Sequence, residues 1–409
     1  MLIKRCNARL IKNSRRENAI EVKLKTDLGK FYCSSPSGKS KGKYEVQDFN
    51  EKGVKHSVKL ANLFLKKFEK SSFMLKNFDD LKILEEELKI FEKKHEKLGG
   101  NVYYAIEGVF LKAAAKEQNK ELWEFILKNN KPKIPMPVGN CIGGGLHTRT
   151  HHKKPDFQEF LFIPDENSFS KAVSKNILAY LDAKFKIRLR ERKLIIKTND
   201  ENAIITSLTN QEVLEIMRDV AKKFNLRIGI DVAASSFYDG KEFYDYKNKR
   251  FLRTREEQLK YLLNLINEFD LFYVEDPFHE EDFLSFRNLL SKLKDLKKDT
   301  LIVGDDLTTT NLERVMKAVR LKAINALIVK PNQIGSLIEV KKVVEFCKKN
   351  GIKIIFSHRS GETLDNILAD YAIGFGADFI KTGIIGQERL IKLRRIIDIE
   401  KKINAKSSN

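Results

Sequence analysis

Six short apolar runs in this chain each end in residues that buried strands avoid, and the chemistry is concentrated at those endings. Leu226 to Ile230 ends in Asp231, Leu271 to Val274 in Glu275 and Asp276, and Leu301 to Val303 in Asp305 and Asp306. Ala326 to Val329 leads to Lys330, Ile354 to Phe356 to His358 and Arg359, and Phe379 and Ile380 to Lys381. Asp231, Glu275 and Asp305 offer hard oxygen donors, and their convergence suits Mg²⁺, which takes octahedral oxygen ligation. Singly, each reads as an acid capping a helix or pairing with a surface lysine; three in register read as a metal site. Lys330 precedes Pro331, which holds it extended. It can serve as a general base if burial and neighbouring cations lower its pKa from about 10.4 toward about 7 to 8; the competing reading is a lysine snorkelling from a strand end. His358, Arg359 and Ser360 form an anion-binding run, with an arginine fork for phosphate and two further donors beside it.

The endings Asp231, Glu275, Asp305, Lys330, His358 and Lys381 follow one another at steps of 44, 30, 25, 28 and 23 residues. Most of these steps fit one βα unit, and helical patterns lie between the runs. In a parallel sheet or barrel all strand C-terminal ends share one face, so the terminal side chains meet there while the apolar residues form the core. The expected class is α/β. One intervening helix is expected over Thr310 to Leu321, with Thr310 and Glu313 placed as a capping box.

The segments VEDPF, VGDDL with TTTN, VKPNQIGS, SHRSGETLDN and IKTG, in that order over the C-terminal half, resemble the enolase family, the phosphoglycerate hydratases of glycolysis. The resemblance implies an enolase-type (β/α)8 barrel over residues 131–409, behind an α+β capping domain over residues 1–130. It implies a lyase that reversibly dehydrates 2-phosphoglycerate to phosphoenolpyruvate, a small phosphorylated carboxylate as substrate, and a homodimer or higher homo-oligomer. On this reading Asp231, Glu275 and Asp305 hold one magnesium, and Ser40, in SPSGKSKG, reaches a second. Lys330 removes the α-proton and Lys381 steadies the ionised carboxylate. PDFQEFLF carries Gln158 and Glu159, which help to hold the substrate and the leaving hydroxyl; NCIGGGLH carries His147 on a closing loop. Glu201, within Asn199–Ala203, is the acid that protonates the leaving hydroxyl, and His358, Arg359 and Ser360 grip the phosphate.

The chain departs from that family in four places. Lys39 and Lys41 replace small residues of the first loop, and SRRENA (Ser14 to Ala19) replaces SRGNPT. The Glu201 segment lacks its glycines, although Asn202 tolerates a left-handed backbone better than most residues. HTRTHHKK brings in His151 and His152, which read either as further anion ligands or as a solvated loop tip.

The 409 residues carry a net charge of +21 with 42% hydrophobic content, enough for two domains and a substantial core. Such charge attracts nucleic acid, so a basic scaffold or RNA-associated protein is one alternative reading; an enolase-like paralogue acting on another acid, or weakly active, is another. Interleaved Lys and Glu, as in EEELKIFEKKHEK, match solvated helix faces better. No apolar run of membrane-spanning or secretory length is present, so a soluble cytoplasmic protein is expected. Cys6, Cys33, Cys141 and Cys347 lack metal spacing and read as reduced and structural. Near the N-terminus, Ala19 to Leu24 and Lys30 to Cys33 read as a hairpin turning at Asp27 to Gly29. Helical periodicity follows over His56 to Leu98 and Tyr104 to Leu127, and the prolines at 132 and 135 suit a boundary over Lys131 to Pro137.

Overall fold

Alternating apolar and charged residues near the N-terminus fold as antiparallel strands β1 (Leu2–Lys12), β2 (Asn18–Thr26) and β3 (Gly29–Ser34). Ile20, Val22 and Leu24 are buried while Lys23 and Lys25 alternate outward, as a half-buried strand requires. The expected hairpin is present, with Thr26 paired to Gly29 across its turn. The sheet order is β3-β2-β1-β4, where β4 is the short Ser71–Ser72. This is a computed structural model, and it describes every residue except Ser40, Lys41, Asn129, Arg149, His151, His152, Lys193, Leu194, Lys249, Ser408 and Asn409. The expectations placed on Ser40, Lys41, His151 and His152 therefore lie outside the described residues.

The two helical stretches are each interrupted. His56 to Leu98 divides into helices Val54–Leu65 and Leu81–Lys94, with Lys70 left-handed at φ 60° between them. Phe68, Phe73 and Leu75 keep the apolar spacing through the break by packing on the same core, so periodicity alone does not reveal it. Tyr104 to Leu127 likewise divides, at Asn119 (φ 53°), into Gly100–Glu117 and Leu122–Leu127.

Eight strands close a barrel: β5 (Met136–Gly143), β6 (Glu159–Pro164), β8 (Leu226–Asp231), β11 (Leu271–Glu275), β12 (Leu301–Gly304), β13 (Ala326–Val329), β14 (Lys353–Ser357) and β15 (Phe379–Lys381), with β15 pairing back onto β5. β7 (Ile204–Ile205) extends the sheet beside β5, and β9 (Tyr244–Tyr246) pairs with β10 (Phe251–Arg253) as a separate ribbon. Alternate residues divide the core: Val138, Leu161, Tyr273, Val303, Ile328 and Ile355 fill the barrel, while Leu327, Val329 and Phe356 join the layer packed with the helices. The barrel is not wholly parallel, because β6 runs antiparallel to both β5 and β8. Its first residue, Glu159, therefore lies at the same end as the last residues of the parallel strands, opposite Asp231.

The expected Thr310–Glu313 capping box is not formed. Helix Leu312–Arg320 starts one residue later, with Asn311 accepting from the Arg314 N–H. The Thr310 hydroxyl instead accepts from Lys330 N at 3.0 Å and donates to Gln333 at 2.8 Å, fixing the end of β13. All four cysteines are buried and unpaired, and burial pushes the Cys6 thiol up to about 12. Among the described residues no helix is long and apolar enough to cross a membrane.

Two buried acids of the N-terminal helices cap the barrel helix Leu337–Lys349: Glu107 accepts from Leu337 N at 2.9 Å, and Glu85 from Ser336 Oγ and Ile338 N. Burial, then the Glu85 charge, raises the Glu107 carboxyl well above its ordinary range. A folded-state pKa raised in this way means that the native chain keeps a proton which the unfolded chain releases. This contribution is thus fully present below the ordinary carboxylate pKa and is lost as pH rises. Glu107→Gln should match wild type near pH 4 and exceed it by about 1 kcal/mol at neutral pH; melting curves across pH check this, and a gap that does not widen with pH contradicts it.

Candidate active site

The strand-end side chains converge as the spacing implies. Of the residues given a site role above, eleven line one polar cavity: His147, Gln158, Glu159, Glu201, Asp231, Asp305, Lys330, His358, Arg359, Ser360 and Lys381. Glu275 is reached through Lys381, whose ammonium lies 2.8 Å from it, 2.8 Å from Glu159 and 3.2 Å from Asp231. Burial opposes that charge, but the three carboxylates outweigh burial and raise Lys381 well above the usual lysine range. Gln158 donates to Asp231 at 3.3 Å.

The acids suit a divalent cation by their chemistry. Asp231, Glu275 and Asp305 are buried and offer only carboxylate oxygens. Burial and mutual repulsion raise Glu275, and burial raises Asp231 despite the pull of Lys381, so added positive charge at this end is favourable. Asp305 also belongs to a group with Asp276 and Asp306 whose oxygens lie within 4.8 Å of one another. There Asp276 accepts from the N–H groups of Asp305 and Asp306 at 3.0 and 2.7 Å, and burial with the Asp305 charge raises Asp306 to about 7.

Lys330 differs from expectation in its charge. Burial and Arg359 press its pKa down, but it is ion-paired with Asp305, and the carboxylates prevail and raise it. The sequence puts Lys330 directly after an apolar strand, as the structure does, and does not reveal the sign of its nearest neighbour.

A second group holds a proton. His147 Nδ1 lies 3.3 Å from Glu159 and 3.5 Å from Glu201. Burial would neutralise His147, yet Glu201 and Glu159 raise it; burial would raise Glu201, yet His147 and Arg389 hold it at about 2. The two carboxylates thus favour the charged form of His147, and the neighbouring cations favour the ionised form of Glu201. The turn under Glu201 is held without glycines: the Asn199 side chain accepts from Glu201 N and Ala203 N at 2.9 and 3.0 Å, and Asn202 is left-handed at φ 64°. His358 lies 3.7 Å from Glu201 and is held well below its ordinary pKa by burial and by Arg389.

The phosphate-type run is buttressed by residues that sequence reasoning missed. Arg359 NH2 pairs with Glu45 at 2.8 Å and its NH1 donates to Asn332 at 3.2 Å. Buried Arg389 donates to the carbonyls of Arg359 and Ser360 at 3.0 and 2.9 Å. The Glu362 carboxylate accepts from Arg359 N at 3.1 Å and pairs with Lys392 at 2.8 Å. Ser37 and Gly361 exchange backbone hydrogen bonds at 2.9 Å; a Cβ on Gly361 would lie 2.9 Å from the Ser37 carbonyl, so glycine is required there. Despite the altered SRRENA segment, Ser14 bonds Glu362 N and the Ser360 carbonyl. A signal for Glu45 does exist: it is the first acid after Asp27, at the end of a segment containing Lys30, Lys39, Lys41 and Lys43.

A closed barrel whose end gathers buried carboxylates, two lysines and a held arginine defines a barrel enzyme built for acid–base chemistry on an anionic substrate. The chain matches the families described as "Enolase, N-terminal domain" over residues 3–126 and "Enolase, C-terminal TIM barrel domain" over residues 131–408. It is 36% identical to an enolase of Methanosphaera stadtmanae over 97% of this chain and 96% of that one. It is 38% identical to an enolase of Pyrobaculum aerophilum (94% and 91%) and 32% identical to one of Picrophilus torridus (98% and 99%). The chain belongs to the enolase family. That family is magnesium-dependent in general, and the acidic clusters here suit a metal.

Proposed function

We propose that this chain is an enolase, a carbon–oxygen hydro-lyase that interconverts 2-phosphoglycerate and phosphoenolpyruvate in glycolysis and gluconeogenesis. The observation that carries the reading is the meeting, in one buried cavity, of a lysine beside a carboxylate cluster, the His147–Glu159–Glu201 group and the braced Arg359.

Lys330 Nζ takes the proton from the carbon next to the substrate carboxylate, and Lys381 sets its ammonium against the negative charge that this leaves on the carboxylate oxygens. The proton on His147, between Glu159 and Glu201, passes through Glu201 to the departing hydroxyl. Arg359, with Ser360 and neutral His358, holds the phosphate, and Gln158 orients Asp231 and the substrate. Asp231, Glu275 and Asp305 would hold magnesium, with Ser40 for a second ion; its charge would oppose that of the substrate carboxylate and draw off the Asp305 charge that now keeps Lys330 protonated.

The proposed division is residues 1–130 and 131–409, with a cytoplasmic location. Self-association is supported by Leu178, Leu181, Phe185 and Leu189, each at least half exposed along one side of helix Phe169–Arg190. Sedimentation velocity tests it, a strictly monomeric species being the contrary result. The activity is tested by following the ultraviolet absorbance of phosphoenolpyruvate formed from 2-phosphoglycerate with magnesium and with excess chelator. Turnover that chelation abolishes is expected; folded, magnesium-supplied protein without turnover overturns the reading.

A further inference from the structure

We propose that Lys39 is a positioning residue, a clasp that ties the turn carrying Glu201 to the loop carrying His147 over the mouth of the site; this rests on the enolase reading above. Lys39 lines the cavity, and its side chain is only 13% exposed despite its length and charge. Its ammonium lies 3.7 Å from the Asp200 carboxylate and 3.4 Å from the His147 carbonyl. Asp200 and His147 belong to the two segments that bring Glu201 and His147 within 3.5 Å of each other. Arg15 reaches the same Asp200 carboxylate at 3.6 Å and Ser360 Oγ at 3.5 Å. One carboxylate and two cations thus join five places in the chain, at Arg15, Lys39, His147, Asp200 and Ser360.

A lysine ammonium offers three donors on a flexible stem, so it can bridge a carbonyl and a carboxylate that belong to two different segments. Asp200 is 41% exposed, so the contact is open to screening by salt. Proton transfer to a leaving group is sensitive to placement, a misplacement of about 1 Å costing up to about 100-fold in rate. Lys39 therefore acts through the geometry of His147 and Glu201.

The test uses the full chain at saturating magnesium, comparing wild type with Lys39→Met, Lys39→Arg, Asp200→Asn and the Met/Asn double variant, each checked by its melting temperature. Lys39→Met is expected to lower kcat about tenfold with KM for 2-phosphoglycerate changed less than about threefold. Asp200→Asn should lose a similar amount, the double variant should be no worse than the weaker single variant, and Lys39→Arg should retain most of the activity. Added KCl should lower wild-type kcat toward that of Lys39→Met and leave the variant nearly unchanged. A Lys39→Met kcat within about twofold of wild type overturns the proposal. So does a loss that falls in KM and multiplies with that of Asp200→Asn, which would make Lys39 a direct phosphate ligand. Wild-type protein without turnover removes the enolase reading, and the clasp with it.

Discussion

Lys330→Ala is expected to lower kcat by about two to four orders of magnitude, the range of a lost general base, in a protein that remains folded. Lys330 lines the cavity, ends β13 with its N–H fixed by Thr310, and pairs with Asp305. Without the ammonium, the buried Asp305 carboxyl loses the nearest charge that draws it down, while Lys381 and Arg359 still face it. Lys330→Arg separates the two roles of the residue. Arginine keeps the positive charge beside Asp305 but stays protonated at any accessible pH. It should therefore preserve thermal stability and be nearly as inactive as alanine. A Lys330→Arg variant with more than about a tenth of wild-type kcat would mean that charge, and not proton abstraction, is what the site needs from this position.

Glu45→Ala carries the second largest expected loss. Glu45 Oε2 pairs with Arg359 at 2.8 Å, while Oε1 accepts from Gly42 N at 3.0 Å and from Gln333 at 3.2 Å. One carboxylate thus aims the phosphate-binding fork, closes the first loop and touches the segment after Lys330. Removing one partner of a buried ion pair typically costs about 3 to 5 kcal/mol. Arg359 keeps Asn332 as a neighbour, which places the expected cost at the lower end, about 3 kcal/mol in stability with a fall of about 100-fold in kcat/KM. The kinetic loss should lie mainly in KM, with inorganic phosphate losing inhibitory potency in parallel. Glu45→Gln, which keeps the shape and one acceptor, should fall between. Melting curves and phosphate inhibition measured on the same preparations check both parts, and a fall confined to kcat would place Glu45 outside phosphate recognition.

These two residues also show what was legible in the sequence. Lys330 was legible because an apolar run stops abruptly at it, and the same rule finds Asp231, Glu275, Asp305, His358 and Lys381, since parallel strands deliver their last residues to one face. The rule fails for Glu159, which opens its strand: β6 runs the other way, and only family resemblance points to it. Glu45 and Arg359 stand 314 residues apart, and Arg389 acts through backbone carbonyls that any residue offers, so no local pattern encodes either contact. The helix break at Lys70 was hidden because Phe68 and Phe73 bury themselves on the same core whether or not the backbone is helical. The altered turn around Glu201 was legible as a departure, but its remedy was not: Asn199 makes with its side chain the two bonds that hold the turn. Charge states were the least accessible, because the direction of the Lys330, Glu201 and His147 shifts depends on which buried neighbours stand nearest.

The central claim is that Lys330 takes the proton from carbon while the His147–Glu201 group serves the leaving hydroxyl. Exchange of the carbon-bound hydrogen of 2-phosphoglycerate with deuterated solvent, followed by NMR in wild type, Lys330→Ala and Glu201→Gln, separates the two steps. The account predicts that Glu201→Gln exchanges the hydrogen while forming little phosphoenolpyruvate, and that Lys330→Ala does neither. Exchange that survives in Lys330→Ala, or that disappears in a folded Glu201→Gln, would contradict it.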